Sequence, residues 1–322
     1  DIKKRDGDFN RYLENYRQTL KNLAQCGVTT VCYNFMPILD WTRTDLNYQV
    51  STGSYSLRFD TTAFAAFELF ILKREGSTEL YNGSQISKAK IYFNGLSSHQ
   101  QQVLCRNIIA GLPGGHVGYT LDEFRLILNE YKHISEADLQ TNLRYFLEQV
   151  IPTAVDVGVN LCIPPDDPPY PILGLPRVVS TQADIERLLS EVDSPNNGIT
   201  LCTGSFVVRG DNDMVRIARR YANRIHFLHF RSVEVEDNGS FYEAGHLEGD
   251  SNIAGVMNAL LTSDKLSGDH YIPLRPDHGQ KMLDDVSKST NPGYSCIGRM
   301  KGLAELRGLE SGLRFASKHI EK

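Results

Sequence analysis

A cation, a carboxylate and an imidazole follow a short apolar stretch near residue 275. The stretch starts at Tyr271 and leads into Arg275, Asp277 and His278, and Tyr294 follows in a Pro-Gly turn. In an α/β barrel, the loops at the carboxyl ends of the strands form the active site. We therefore interpret these residues as a candidate catalytic cluster. The alternative is a capping Asp and a surface His at a strand-to-helix turn.

Residues of metal-binding type also follow other predicted strands. Cys202, His229 and the Asp166-Asp167 pair each lie at the end of an apolar run. Taken singly, the thiol and the imidazole are more often buried core groups. Together with Asp277 they offer thiolate, imidazole and carboxylate ligands from separate strands, which suits a transition metal. A site of this kind belongs to the tertiary fold and can keep open positions for a substrate.

The elements that position these residues alternate between strand and helix from about residue 135 onward. Apolar β-branched runs predict the strands, and apolar residues at helical spacing predict the helices between them. Such alternation implies parallel strands with right-handed crossovers. Five strands are predicted, at residues 28–33, 159–163, 198–202, 224–230 and 272–275, which is fewer than a closed eight-stranded barrel needs.

The segment from about 47 to 134 interrupts this alternation. It carries helical patterns without clear strand alternation, so we predict a helical insertion within a single barrel domain that covers residues 1–322. The loop before it contains Asn34, Trp41 and Arg43. A lone tryptophan is more often core than a ligand contact, but its charged neighbours make a site wall an equal alternative.

Composition and charge narrow the class of protein. The chain has 322 residues, a formal net charge of −5 and 41% hydrophobic residues, so neither nucleic acid nor an anionic membrane is an expected partner. No apolar run approaches the ~20 residues that span a bilayer. Six scattered cysteines without a CxxC pair, after a polar start without a signal peptide, predict reduced thiols and a cytoplasmic protein.

Several long motifs carry a family resemblance. They are IHFLHFRS (225–232), LCTGS (201–205), PDDPPYPILGLPR (165–177), RPDHG (275–279), TNPGYS (290–295) and CYNFMPILDWTRTDL (32–46). Over essentially its whole length the chain resembles mannonate dehydratase, the hexuronate-pathway lyase. The resemblance implies a (β/α)8 barrel of the xylose-isomerase-like kind that binds Mn2+ or Fe2+. It also implies a homodimer, and conversion of D-mannonate to 2-keto-3-deoxy-D-gluconate and water.

Family members carry a further N-terminal segment with the first two barrel strands. By this resemblance we expect that segment to be missing from the sequence in hand, which would account for the short strand count. Carried over position by position, the resemblance makes Cys202, His229 and Asp277 the metal ligands. It makes His278 and Tyr294 the residues of proton transfer.

One ligand position departs from the family pattern. The family has a His directly before PDDPP, and this sequence has Pro164 there. Proline has no side-chain donor atom, so the predicted site has three protein ligands. The departure also opens a different hypothesis, in which the chain is an inactive homologue that binds a sugar acid without converting it.

Residues that could hold the sugar acid surround the predicted site. Arginines can hold a carboxylate through paired hydrogen bonds, although salt bridges on the barrel rim are an equal alternative for each of them. An imidazole can contact sugar hydroxyls or only order its own loop. The candidate substrate-binding residues are Asn34, Trp41, Arg43, Asp166, Arg231, His246 and Arg275.

The predicted chemistry needs this combination of groups. Dehydration of a sugar acid removes a weakly acidic proton next to a carboxylate, and a bound divalent cation stabilises the charge that develops. A base must reach C2, and an acid must protonate the departing C3 hydroxyl. A metal-dependent sugar isomerase on the same barrel is the enzymatic alternative, but it would need two acidic metal sites, and the chain offers more thiolate and imidazole than carboxylate.

Overall fold

The computed structural model describes residues 1–111, 118–266 and 271–319. Its strands fall into a parallel sheet and an antiparallel sheet. In chain order they are β1 (Thr30–Cys32), β2 (Asp45–Gln49), β3 (Tyr55–Phe59), β4 (Asn160–Ile163), β5 (Asn197–Cys202), β6 (Ile225–Phe230), β7 (Val233–Val235), β8 (Phe241–Glu243) and β9 (Leu274–Pro276).

The parallel sheet has the order β1-β4-β5-β6-β9, so each strand lies beside the next one of this set along the chain. All four neighbouring pairs are parallel. The five predicted strands and their parallel arrangement are therefore confirmed. Every residue of β5 is buried, as expected for a central strand of a sheet covered on both faces.

Helices connect and cover these strands. They are α1 (Phe9–Gln25), α2 (Thr61–Ala66), α3 (Gly83–Gly95), α4 (Ser98–Ile109), α5 (Leu121–Asn129), α6 (Glu136–Val157), α7 (Gln182–Glu191), α8 (Thr203–Val207), α9 (Met214–Tyr221), α10 (Ile253–Leu261) and α11 (Cys296–His319). Several of these helices begin with a capping box, in which two residues cap each other. At the start of α6 the Ser135 side chain accepts from the backbone N–H of Asp138, and the Asp138 carboxylate accepts from the backbone N–H of Ser135.

The main hydrophobic core lies between the parallel sheet and the helices that cover it. Leu161, Leu201 and Phe230 from three strands pack in one cluster with Phe146 of α6 and Ile217 of α9. These side chains are almost completely buried, so the sheet is held from the helix side by apolar contact. The polar side chains of the candidate site lie instead at the carboxyl ends of the strands.

The second sheet corrects the prediction for the segment that starts at residue 47. That prediction contained no strands, but β2 and β3 form an antiparallel hairpin there, and β8 and β7 extend it in the order β2-β3-β8-β7. The prediction failed because these strands are short and because β3 finds its partner β8 far along the chain. Helices do follow from Thr61 onward. That the segment is an insertion into one barrel domain stays a prediction.

Within the part of the chain that the structure describes, no helix combines the length and the apolar character that crossing a membrane requires.

Two glycines of α11 provide a matched test of how tightly this helix packs. A Cβ atom at Gly302 would lie 2.2 Å from Nδ1 of the buried His246, whereas a Cβ atom at Gly308 would meet nothing within 4 Å. We expect Gly302→Ala to lower the free energy of unfolding by about 1–3 kcal/mol through overpacking. Gly308→Ala should raise it by about 0.5–1 kcal/mol, because alanine is the better helix former. Urea unfolding of both variants measures the difference, and equal stability of the two would contradict this packing.

Candidate active site

Strand register brings the predicted metal ligands to one edge of the parallel sheet. Cys202, the last residue of β5, pairs with His229 of β6, and His229 pairs with Arg275 of β9. Asp277 follows directly after β9, and its backbone N–H donates to the carbonyl of Phe230 at 2.9 Å. Because the strands are parallel and in register, residues far apart in sequence end side by side. The structure therefore brings these strand ends together at one edge of the sheet.

The ligand atoms of Cys202, His229 and Asp277 all lie within 4.8 Å of one another. Nε2 of His229 is 2.7 Å from Oδ1 of Asp277, and the Ser205 hydroxyl donates to the Cys202 sulfur at 3.2 Å. Cys202 and Asp277 are buried. A thiolate, an imidazole and a carboxylate at this spacing fit a divalent transition metal of borderline softness.

The electrostatics of Cys202 and Asp277 favour a positive charge beside them. Burial raises the pKa of the Cys202 thiol, but His229 and Arg231 outweigh it, so the pKa lies below its ordinary value. Burial also opposes ionisation of Asp277, yet the neighbouring His229 and His278 hold the pKa of this carboxyl well below its usual range. Oδ2 of Asp277 is buried and has no hydrogen-bond partner among the described residues. A buried, ionised carboxylate oxygen without a hydrogen-bond partner is suited to bind a metal ion.

Behind the ligands lies a buried network of four charged side chains, which we call the charge cluster: Arg43, Asp167, Arg231 and Glu243. Arg43 donates from Nη1 to Oδ1 of Asp167 at 2.9 Å, from Nη2 to Oδ2 of Asp167 at 3.1 Å and to Oε1 of Glu243 at 2.9 Å. Arg231 donates from Nη1 to Oδ2 of Asp167 at 2.5 Å, and its Nε lies 3.3 Å from Oε2 of Glu243. Two cations and two carboxylates thus compensate one another.

The charge cluster shifts the acidity of its members in the expected direction. Burial would raise the pKa of Asp167, but Arg231 and Arg43 lower it strongly, so Asp167 stays ionised. Burial would likewise raise the pKa of Glu243, and Arg231 and His278 lower it below its ordinary value. Both carboxylates therefore remain acceptors for the groups that surround them.

His278 lies between the charge cluster and the cavity. Its Nδ1 is 3.2 Å from Oε1 of Glu243, and its Nε2 is buried without a hydrogen-bond partner among the described residues. Since a carboxylate only accepts, Nδ1 carries the proton in this contact, and Nε2 is the ring nitrogen left for another partner. The ring meets Trp41 and Tyr294 edge-on, at centroid distances of 5.7 Å and 5.3 Å.

The turn that carries Tyr294 depends on a glycine. Gly293 has φ +79°, and a Cβ atom there would lie 2.8 Å from Cδ2 of His278. A side chain at this position would therefore strain the backbone and push the imidazole away. Burial and the nearby Asp277 raise the pKa of the Tyr294 phenol above its ordinary value, so the hydroxyl is protonated in this environment.

A cavity of about 380 Å³ opens onto these groups. It is lined by the three ligand residues and His278, and also by Pro164. The predicted substrate-binding residues Asn34, Trp41, Arg231 and Arg275 also line it. The structure therefore places these residues around one space, although their contact with a substrate stays a prediction.

Three of the predicted substrate-binding residues do not line the cavity, and we propose structural roles for them. Arg43 is fully buried within the charge cluster. Oδ2 of Asp166 accepts from the backbone N–H groups of Val178 and Val179 at 3.0 and 2.7 Å and from the Ser180 hydroxyl at 2.9 Å. The third residue is His246, which is buried against α11.

Two residues of the site were missed. Asp167 was recognised only as the neighbour of Asp166, because an Asp-Asp pair does not tell which carboxylate points inward. Glu243 was missed because it ends β8, a strand that the sequence pattern did not predict. The sequence contains an indication for Asp167 only. Prolines lie on both sides of the Asp166-Asp167 pair and mark a rigid loop that can hold a side chain in one place.

Comparison with known proteins shows the family to which the chain is similar. The family profile for D-mannonate dehydratase (UxuA) matches residues 1–320. A mannonate dehydratase of Marinomonas sp. (strain MWYL1) is 54% identical over 319 residues, which cover 98% of this chain and 82% of the relative. That of Chromohalobacter salexigens is 48% identical over 318 residues, covering 98% and 81%. A crystal structure of mannonate dehydratase from Streptococcus suis serotype 2 matches with a TM-score of 0.74 at 32% identity, covering 98% of this chain and 76% of that one.

Fold, site and relatives together define a lyase built on a parallel α/β sheet, as the sequence predicted, with a candidate metal site at the edge of that sheet. The chain belongs to the D-mannonate dehydratase family, whose members are hydro-lyases. The predicted resemblance and enzyme class are thereby confirmed. The comparisons give no support to a sugar isomerase or to an inactive sugar-acid-binding homologue.

The reassignment of Asp166 can be tested through stability. Asp166→Ala would leave three buried donors without their acceptor, and we expect the free energy of unfolding to fall by about 2–5 kcal/mol. Asp156 is exposed on α6 and serves as the matched control, so Asp156→Ala should change stability by less than about 0.5 kcal/mol. Chemical denaturation measures both variants. An Asp166→Ala protein that keeps its stability but loses substrate affinity would instead restore the substrate-binding role.

Proposed function

We propose that this protein carries out the dehydration of D-mannonate to 2-keto-3-deoxy-D-gluconate with one divalent cation, Mn2+ or Fe2+, held by Cys202, His229 and Asp277. The observation that carries the proposal is the convergence of these three ligand atoms within 4.8 Å at the edge of the sheet. When bound, the cation supplies positive charge that stabilises the negative charge developing next to the substrate carboxylate. The residues of the chain then orient the sugar acid and move its protons.

His278 and Tyr294 form the proton-transfer pair of this proposal. One removes the C2 proton and the other protonates the C3 hydroxyl as it departs, and each such transfer typically contributes ~10²–10⁴-fold to the rate. Their rings meet edge-on at 5.3 Å between centroids, which places the phenol beside the imidazole, and of the two His278 is the one that lines the cavity. The unpartnered Nε2 of His278 supports its part in this pair, because a buried imidazole nitrogen needs a partner that a substrate can supply.

Arg231 and Arg275 are the proposed contacts of the substrate carboxylate. Both line the cavity, and Nη2 of Arg231 is buried without a hydrogen-bond partner among the described residues. Arg275 lies nearer to solvent, with 44% of its side chain exposed, and its Nη2 is 2.9 Å from Nε2 of His229. A guanidinium group next to the ligand set can neutralise a bound sugar acid from the solvent side. Asn34 and Trp41 complete the wall.

Glu243 positions His278 in this scheme. Its Oε1 accepts from Nδ1 of His278, which fixes the tautomer whose Nε2 faces away from the charge cluster. The same carboxylate is held by Arg43 at 2.9 Å, so its own place is set by a second buried contact. Glu243 therefore acts through His278 rather than on the substrate.

The surroundings of the enzyme are also part of the proposal. The thiols of Cys26, Cys32, Cys105, Cys162, Cys202 and Cys296 are all free, which supports a reducing compartment, and we infer the cytoplasm. The resemblance to the dehydratase family supports a homodimer. The expected partner is the small-molecule sugar acid, with no role for nucleic acid or membrane.

Metal content tests the proposal directly. After incubation with Mn2+ or Fe2+ under reducing conditions and gel filtration, we expect about one metal per chain by elemental analysis. Cys202→Ala should lose most of this metal, whereas Cys26→Ala, which changes an exposed thiol, should keep it. Absence of metal from the wild-type protein under metal-rich conditions would overturn the proposal.

Adding a donor atom at residue 164 is the complementary test of the metal site. It lines the cavity next to the three ligand residues but has no donor atom. Pro164→His places an imidazole there, and we expect the metal Kd to fall by about tenfold or more. Titration of the metal-free variants with Mn2+ gives the Kd, and an unchanged value would show that residue 164 does not point at the ion.

The role of Glu243 requires a double-mutant cycle with His278. Glu243→Gln removes the charge but keeps the shape, and we expect kcat to fall about 10²-fold with little change in KM. In the His278→Gln background the same change should have almost no further effect, because its target is gone. Glu248→Gln, on an exposed glutamate, is the matched control. Additive losses would show that Glu243 acts only on structure, and normal kcat for His278→Gln would disprove the proton-transfer role itself.

A further inference from the structure

Two cysteines lie side by side outside the metal-ligand set, one in the cavity wall and one buried behind it. Cys32 ends β1 and Cys162 belongs to β4, and the two residues are direct partners in the parallel register. Their sulfur atoms are 3.3 Å apart. Because paired residues of neighbouring strands project to the same face of a sheet, this proximity follows from the register rather than from two flexible loops.

The geometry allows a bond between these sulfurs without movement of the backbone. Neighbouring strands lie about 4.7–4.9 Å apart, within the range of about 4.4–6.8 Å between Cα atoms that disulfides occupy. The sulfurs need to approach by only about 1.3 Å to reach the S–S bond length of about 2.0 Å. Rotation of the two side chains about χ1 can supply this movement.

The two thiols differ in their hydrogen bonds and in their access to solvent. The Thr200 hydroxyl donates to the Cys32 sulfur at 3.4 Å, whereas the Cys162 thiol donates to the carbonyl of Val31 at 3.7 Å. Cys32 is exposed and lines the cavity, and Cys162 is buried. Cys32 is therefore the sulfur that a reagent from the cavity reaches first, and Cys162 is the thiol beneath it.

The pKa values of the two thiols differ as well: that of the exposed Cys32 is lowered and that of the buried Cys162 is raised. The contact with the Cys162 sulfur lowers the pKa of Cys32 to about 6, against the opposing effect of burial, and the Thr200 hydroxyl assists. The same contact and burial raise the pKa of Cys162 well above its ordinary value. An exposed thiolate beside a protonated thiol is the arrangement found at oxidation-sensitive cysteine pairs.

We propose that Cys32 and Cys162 form an oxidisable dithiol site that a hydroperoxide converts to a reversible disulfide. The Cys32 sulfur attacks the terminal peroxide oxygen, the O–O bond breaks, and Cys32 becomes a sulfenic acid while water or an alcohol leaves. The Cys162 sulfur then attacks the Cys32 sulfur, the S–S bond forms, the S–O bond breaks, and the hydroxyl leaves as water with the thiol proton. The two sulfurs lose two electrons, which the peroxide gains.

Peptide mapping of the whole protein tests this site. The reduced, metal-loaded protein is treated with a small excess of hydrogen peroxide, quenched with an alkylating agent and mapped by mass spectrometry without reduction. We expect a Cys32–Cys162 linked peptide, a mass loss of two hydrogens per chain and full recovery on treatment with dithiothreitol. The pair should oxidise about tenfold or more faster than the exposed Cys26 and Cys296 of the same chain.

Variants separate the two roles. Cys162→Ala should stop at a Cys32 sulfenic acid, which dimedone traps, and Cys32→Ala should leave Cys162 unmodified at the same dose. Cys26→Ala is the matched control and should form the disulfide as the wild-type protein does. Circular dichroism checks that each variant is folded, and the wild-type map stands if one is not. The proposal is overturned if the wild-type pair stays reduced while Cys26, Cys202 or Cys296 is oxidised, or if the pair forms no cross-link.

Discussion

The charge cluster of Arg43, Asp167, Arg231 and Glu243 is the interaction on which the site depends. Its members come from four separate places: the loop before β2, the loop after β4, the end of β6 and the end of β8. Removing such charges from water costs several kcal/mol for each ion, and only their mutual contacts repay it. Because the cluster contains two cations and two carboxylates, loss of any one member would leave an uncompensated buried charge. The charge cluster therefore joins the parallel sheet to the antiparallel sheet beside the candidate active site.

The cluster also separates two kinds of chemistry at adjacent residues. Asp277 turns toward the imidazole of His229, with 2.7 Å between Oδ1 and Nε2, whereas its neighbour His278 turns toward Glu243. The two side chains remain close, with 3.6 Å between Nδ1 of His278 and Oδ2 of Asp277, so one dipeptide can serve the proposed ligand set and the proposed proton-transfer pair. Arg231 contributes to both sides, since it lowers the pKa of the Cys202 thiol and of Glu243. The proposed metal ligands and the proposed acid–base residues are thus coupled through charge as well as through the backbone.

Much of this arrangement could be predicted from the sequence because it is local. The strands that carry Cys202, His229 and Asp277 are apolar runs between amphipathic helices, and parallel topology then places their ends on one edge. The antiparallel sheet could not be predicted in the same way. Arg43 and Glu243 meet across 200 residues, and no local pattern indicates which arginine finds an internal carboxylate and which faces a substrate. The roles proposed for Arg43, Asp166 and His246 changed for that reason: their residue types suit a sugar site, but in the structure they are buried in tertiary contacts.

The thiols show how position decides the role of a single residue type. Cys202 and Cys32 both line the cavity, and hydrogen-bonding or charged neighbours lower the pKa of both. Cys202 faces an imidazole and a carboxylate, so its thiolate has two further ligand atoms beside it and is suited to hold a metal. Cys32 faces a second sulfur one strand away, so its reaction partner is another thiol. A cation bound at Cys202 would occupy the lone pairs that an oxidant needs, whereas Cys32 is outside the proposed ligand set. One thiol is therefore placed for the proposed metal ligation, and a separate pair is placed for the proposed oxidation.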